Sequence, residues 1–145
     1  MKLVLQRVVS SSVWVDCAEV SRISQGITVL LGVEKGDSQK SAFYLAGKVV
    51  NLRIFPDENG KMNRSCLEIG GEILVVSQFT LAGDCSRGQR PGFDRAAEPC
   101  NAETLYRFFI RELKQTGLKV AVGVFGADMR VDIQNDGPAT FILER

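Results

Sequence analysis

Residues 73–81 read Ile73-Leu74-Val75-Val76-Ser77-Gln78-Phe79-Thr80-Leu81. Four aliphatic residues in succession predict a strand buried on both faces, because a strand with one wet face would alternate. Two hydroxyls, Ser77 and Thr80, and one amide, Gln78, follow at once, with Phe79 between them. Polar atoms where a buried strand emerges must find partners or hold a ligand. From these residues alone, local hydrogen bonding to backbone accounts for them as well as a binding site does.

Working outward, Leu3 to Val15 is valine-rich and loosely alternating, which predicts one long strand or two joined at Ser10-Ser11-Ser12. Glu19 to Ile23 reads as a short edge strand and Ile27 to Val33 as a central one. Ala42, Leu45, Ala46, Val49 and Val50 recur at helical spacing, so a helix is expected from a cap at Asp37 or Ser38 to about Asn51. A second helix is expected over Ala102–Thr116, capped by Asn101 and stopped by Gly117, with Leu105, Phe108, Phe109 and Leu113 as its buried stripe. Short strands follow near Lys119–Val124, Arg130–Gln134 and Thr140–Leu143. Strands outnumber helices and come in blocks, which predicts an α+β fold rather than a doubly wound sheet. With no repeat, linker or low-complexity tract, residues 1–145 are expected to form one domain.

Composition narrows the chemistry. The 145 residues contain no histidine, so triads and dyads built on an imidazole base are excluded, as are histidine-ligated metal sites. Cys17, Cys66, Cys85 and Cys100 form no Cys-x-x-Cys pair, which speaks against zinc or thioredoxin-like redox chemistry. Neither a metal nor a cofactor is expected. Gln6 and Arg7 interrupt the apolar start too early for a signal peptide, and the run Ile27 to Val33 is too short to span a bilayer. A cytoplasmic protein with reduced thiols is the expectation. A formal charge of +1 exerts no global pull on nucleic acid, so any RNA contact must be local.

Near the C-terminus, Asn135-Asp136-Gly137-Pro138-Ala139-Thr140 has the composition of a tight turn between two strands. Gly-Pro also admits a cis peptide, since proline lowers the trans preference of the preceding bond to ~0.5–1 kcal/mol. Such a turn would present backbone carbonyls unobstructed by a side chain and suited to an ammonium group.

The two segments together resemble the D-aminoacyl-tRNA deacylase family. The resemblance extends to Gln6-Arg7-Val8, Asn51-Leu52-Arg53-Ile54-Phe55, Gly60-Lys61-Met62-Asn63, Arg87-Gly88-Gln89-Arg90-Pro91 and Phe125-Gly126-Ala127-Asp128-Met129. These stand in the family's order and cover nearly the whole chain. The resemblance implies a β-rich, barrel-like core of two packed sheets with about two helices on one side. It also implies a homodimer with active sites at its interface and charged tRNA as the partner, engaged by its 3′ end. The activity implied is hydrolysis of the ester joining a D-amino acid to tRNA, with glycine on alanine tRNA also accepted.

Carried over residue by residue, Ser77, Gln78, Phe79 and Thr80 line the reacting ester. Gly137 and Pro138 of the partner protomer then exclude L-amino acids, and Arg7 either braces that turn or is a surface charge. Phe125 and Met129 either hold the terminal adenine or belong to the core. Arg87 and Arg90 either clamp phosphates or are a solvated basic loop. Two routes for the attack stand open, Thr80 as nucleophile or assistance from the ribose 2′-OH, and the missing histidine favours the second. Gly92, Ala139 and Cys85 depart from the usual family residues at their positions. Three other readings compete: a thiol-dependent hydrolase or redox protein using Cys85, a catalytically silent dimeric RNA-binding module of the same fold, and a general esterase with no RNA partner.

Overall fold

The computed structural model describes residues 1–145. The elements in order are β1 (Lys2–Val15), β2 (Ala18–Ile23), β3 (Gly26–Gly32), α1 (Gln39–Asn51), β4 (Arg53–Pro56), β5 (Met62–Ser65), α2 (Cys66–Ile69) and β6 (Glu72–Ser77). A 3₁₀ turn (Phe79–Ala82), α3 (Pro99–Lys114), β7 (Val120–Val122) and β8 (Arg130–Glu144) complete the chain. The architecture is the expected α+β one, and its second sheet is only the β4–β5 ribbon.

β1 is the spine. One edge pairs antiparallel with β8 from Lys2↔Glu144 to Trp14↔Arg130. The other edge pairs with β3 over Lys2–Val8 and then with β2 over Ser11–Val15. A strand that exchanges partners midway cannot stay flat, and the sheet curls into a nearly closed barrel. β6 joins β3 in parallel and β7 joins β6 in parallel, so β6 is an interior strand.

This topology gives β6 two cores to serve. Ile73 and Val75 pack with Leu3, Leu5, Val29, Leu45 and Phe109 beneath the helices. Leu74 and Val76 pack with Val8, Val13 and Ile23 on the opposite face, inside the curl. All four are at most 1% exposed, which is why the sequence there is continuously aliphatic.

The helices match the periodicity with local corrections. α1 buries Ala42, Leu45, Ala46, Val49 and Val50, as the spacing predicts. Ser38 occupies the N-cap position, but its side chain makes no capping bond. Asp37 instead accepts the Glu34 N–H at 2.7 Å and the Met1 ammonium. α3 begins at Pro99, three residues before the expected start, because proline's fixed φ suits a first helical turn. Its buried residues are Tyr106, Phe109, Ile110 and Leu113, with Leu105 and Phe108 only partly covered. The short α2 was not expected; a Ser65–Glu68 capping box starts it, and Gly70 at φ 62° ends it.

The largest departure lies in β8. Asn135–Thr140 is not a turn between two strands but a bulge within one long strand. Gln6 faces Thr140 and Val8 faces Asn135, so Asp136 to Ala139 stand opposite Arg7 alone.

Candidate active site

The polar end of β6 is held by backbone. Gln78 N–H donates to the Leu31 carbonyl at 2.7 Å, and the chain then tightens, with Leu81 N–H donating to Gln78 O at 3.2 Å. Gly32 of β3 makes this turn possible. A Cβ at Gly32 would lie 2.9 Å from Leu81 Cβ and 3.0 Å from Gln78 O, so the turn rests directly on bare backbone. At its start, neither Phe79 N–H nor Thr80 N–H donates to a protein acceptor. Phe79 is 61% exposed, its ring 5.1 Å from that of Phe93. Thr80 is exposed, and its Oγ1 accepts a hydrogen bond from Gln78 Nε2 at 2.5 Å.

Beside this turn is a cavity of about 520 Å³. Ser77, Gln78 and Phe79 line one side, Phe125 and Met129 another, and Leu31, Val33 and Val76 are among its apolar residues. Met129 is fixed by an unusual contact, Val124 N–H donating to its Sδ at 3.3 Å. Gly123 leaves room for that sulfur, since a Cβ there would sit 2.7 Å from it. Phe125 packs on Tyr106 with ring centroids 5.6 Å apart, and Tyr106 donates its hydroxyl to Val75 O of β6 at 2.9 Å. Burial pushes the Tyr106 phenol up to about 12, so it stays a neutral donor. Asp128 is the one ionisable side chain lining the cavity.

Arg7 lies elsewhere, on β1 opposite the bulge of β8. It is 7% exposed, with Nη1 donating to Ile54 O at 2.5 Å and Nε to Asp136 O at 3.1 Å. Nε also lies 2.8 Å from the Asp136 carboxylate. Of the two sequence alternatives for Arg7, a surface charge is therefore wrong. The Gly137–Pro138 peptide that follows Asp136 is cis, and both residues are exposed.

The structure thus brings Ser77, Gln78, Phe79, Phe125 and Met129 to one cavity and puts Thr80 next to it. Gly137, Pro138 and Arg7 do not line the cavity of their own chain, nor do Arg87 and Arg90. The last two are exposed in a loop closed by reciprocal bonds between Asp84 and Gly92, at 2.7 and 2.9 Å. Sequence reading missed Gly32, Gly123, Asp136 and Tyr106. Asp136 adjoins the Gly-Pro pair and was within reach. The two glycines act through neighbours distant in sequence, which no local pattern reports.

Gly32→Ala is expected to displace the Gln78–Leu81 turn. Overpacking of this kind costs ~1–3 kcal/mol, and a shift near 1 Å at reacting groups costs on the order of a hundredfold in rate. Thermal melting beside turnover measured on the same preparations tests this. A variant that melts a few degrees lower with unchanged kcat would show that the turn's position is immaterial.

A curled α+β sheet with a polar strand end over an apolar cavity, and no imidazole anywhere, defines a small protein that presents backbone, amide and hydroxyl groups at its cavity. Residues 4–144 match the family model described as D-Tyr-tRNA(Tyr) deacylase, and the chain belongs to that family. It is 58% identical over 144 residues to a D-aminoacyl-tRNA deacylase of Geotalea uraniireducens (strain Rf4), covering 99% of this chain and 93% of that one. With a D-aminoacyl-tRNA deacylase of Pelobacter propionicus it shares 54% over 145 residues, covering both chains fully. Among solved structures, one titled c-Myc DNA Unwinding Element Binding Protein superposes with TM-score 0.94 at 44% identity, covering 100% of this chain and 99% of that one. Another, titled as a probable eukaryotic D-amino acid tRNA deacylase, gives TM-score 0.85 at 17% identity over 98% of this chain and 97% of that one, a likeness of fold.

Proposed function

We propose that this chain is a D-aminoacyl-tRNA deacylase, a cytoplasmic homodimer that hydrolyses the ester between a D-amino acid or glycine and the 3′ end of tRNA. The observation that carries the reading is the pairing of two unpartnered backbone amides, at Phe79 and Thr80, with the cavity between Ser77-Gln78-Phe79 and Phe125/Met129. The amides suit the oxyanion of a tetrahedral intermediate, each donor being worth roughly 10²–10³ in rate. Phe125 and Met129 suit a stacked terminal adenine.

Gly137 and Pro138 are assigned to the partner protomer's site. Their exposure and their absence from the lining of their own chain's cavity support this, and Arg7 with Asp136 holds the segment in place. Backbone pressed against the α-carbon excludes an L side chain by contact while leaving a D side chain free. Glycine passes because it has nothing to exclude. The hydrolytic water is activated with the help of the substrate's 2′-OH, and Ser77, Gln78 and Thr80 position the ester. Arg87 and Arg90 are assigned to phosphates of the acceptor end.

Deacylation of D-Tyr-tRNA beside L-Tyr-tRNA at low enzyme concentration tests the reading. Release from the D ester with the L ester spared is expected. Equal cleavage of both would remove the Gly137–Pro138 gate from the account. The second reading, a silent nucleic-acid-binding module, draws on the solved relative whose title names DNA binding. Absence of turnover in a folded protein that binds tRNA would favour it.

A further inference from the structure

The active-site cavity has a neighbour. A groove of about 600 Å³ runs between α3 and the strand–loop segment that follows it, and Phe125 lines both spaces. Arg107, Arg111 and Lys114 form one wall of this groove, facing Val122, Gly123 and Phe125. No carboxylate lines it.

The spacing of the three cations is i, i+4, i+7, which places them on one helical face. They span ~10 Å of helix rise, about three steps of the ~3.4 Å axial phosphate spacing of one stacked strand. Arg107 pairs with Glu103 at 2.6 Å and Arg111 with Glu112 at 3.1 Å, while Lys114 has no ion-pair partner. The arginine side chains are 74% and 62% exposed, and the Arg107–Glu103 pair, open to water at both ends, is weak enough to open for a phosphate; Glu112 is only 11% exposed and holds Arg111 more firmly. The cluster is a local arrangement and not a by-product of a basic chain, whose formal charge is only +1. Val122 and Phe125 add apolar surface beside the charges, which suits stacked bases better than a free anion.

Resting on the proposed reading of the active site, we infer that the α3 groove carries the phosphates of the single-stranded RNA leading to the terminal adenosine. The strand would pass along Arg107, Arg111 and Lys114, turn at Phe125 and enter the cavity. Phe125, which lines both spaces, marks where groove and cavity adjoin.

The test uses uncharged tRNA binding to the full-length protein, so its outcome does not depend on whether any ester is cleaved. R107Q/R111Q/K114Q should weaken binding at least tenfold near 0.1 M salt. Three lost phosphate contacts should also flatten the slope of log K against log salt by about 2, at ~0.7 per contact for a single strand. R107K/R111K keeps the charge and should bind within a few-fold of the parent. Melting temperature controls for folding, which these exposed side chains barely support. Binding and slope unchanged in the triple variant would overturn the inference, as would a loss equally large in the lysine variant. A loss confined to R87Q/R90Q would overturn it in favour of the Asp84–Gly92 loop. A parent protein that binds tRNA through α3 but never deacylates would leave the groove standing and remove the enzymatic reading.

Discussion

Arg7→Met is expected to lower stability by about 2–4 kcal/mol and to reduce D-ester turnover at least a hundredfold in the molecules that remain folded. Two losses add in stability. The buried Ile54 carbonyl loses a charged donor, and Asp136 loses both the bond to its carbonyl and its ion pair. The figure sits below the upper range for broken buried pairs because the Asp136 side chain is 42% exposed and keeps water as a partner. The activity loss has a separate cause. Residues 136–139 bulge opposite Arg7, and the arginine is the side chain that bridges the bulge to the segment after α1. Without it, Gly137 and Pro138 keep their identity but not their position, and the proposed gate in the partner's site loosens. Arg7→Lys should fall between, because one ammonium cannot serve Ile54 and Asp136 in the fork geometry of a guanidinium. Urea unfolding and kcat/KM measured on the same preparations separate the two effects. Normal turnover by a destabilised Arg7→Met would show that the bulge is not part of the site.

That arginine also shows where the sequence was readable and where it was not. Met1, Leu3, Leu5 and Arg7 are all buried, so Arg7 continues the inward register of an apolar strand. A cation in that register must have a partner, which is a local signal that the loose alternation of β1 obscured. β6 was legible because its four aliphatic residues reported two covered faces directly. The α1 stripe was legible for the same reason, one face meeting one core. β8 was not. Turn residues at 135–138 look alike in a loop and in a bulge, and only pairing with β1 on both sides tells them apart. The stripe of α3 was misjudged by about one position because Tyr106 has a buried acceptor, Val75 O, that lies on another element. Of the site, the polar strand end and the Phe125/Met129 pair were visible as residue types. Their convergence on one cavity depends on Gly32 and Gly123, whose effect is purely steric and non-local.

Thr80→Ala should retain activity within about tenfold of the parent, while a D-aminoacyl-tRNA ending in 2′-deoxyadenosine should lose at least a hundredfold, about 2.7 kcal/mol of barrier. A threonine nucleophile needs a base to take its proton. Thr80 Oγ1 instead accepts a proton-bearing amide from Gln78, and no side-chain base bonds to it. The chain has no histidine to fill that role. Two other ionisable groups are unsuited: burial raises both the Cys66 thiol and the Tyr106 phenol to about 12. A raised pKa keeps each neutral throughout the physiological range, so neither is a thiolate or a phenolate at work. Asp128 lines the cavity but makes no hydrogen bond to Thr80. On the proposed reading the substrate's own 2′-OH, adjacent to the ester, gives the assistance, with the proximity that intramolecular catalysis requires. Single-turnover rates on matched ribo- and deoxyribo-ended substrates, each with parent and Thr80→Ala enzyme, give a four-way comparison. A thousandfold loss in Thr80→Ala together with full turnover of the deoxy substrate would reverse the assignment and make the threonine the nucleophile.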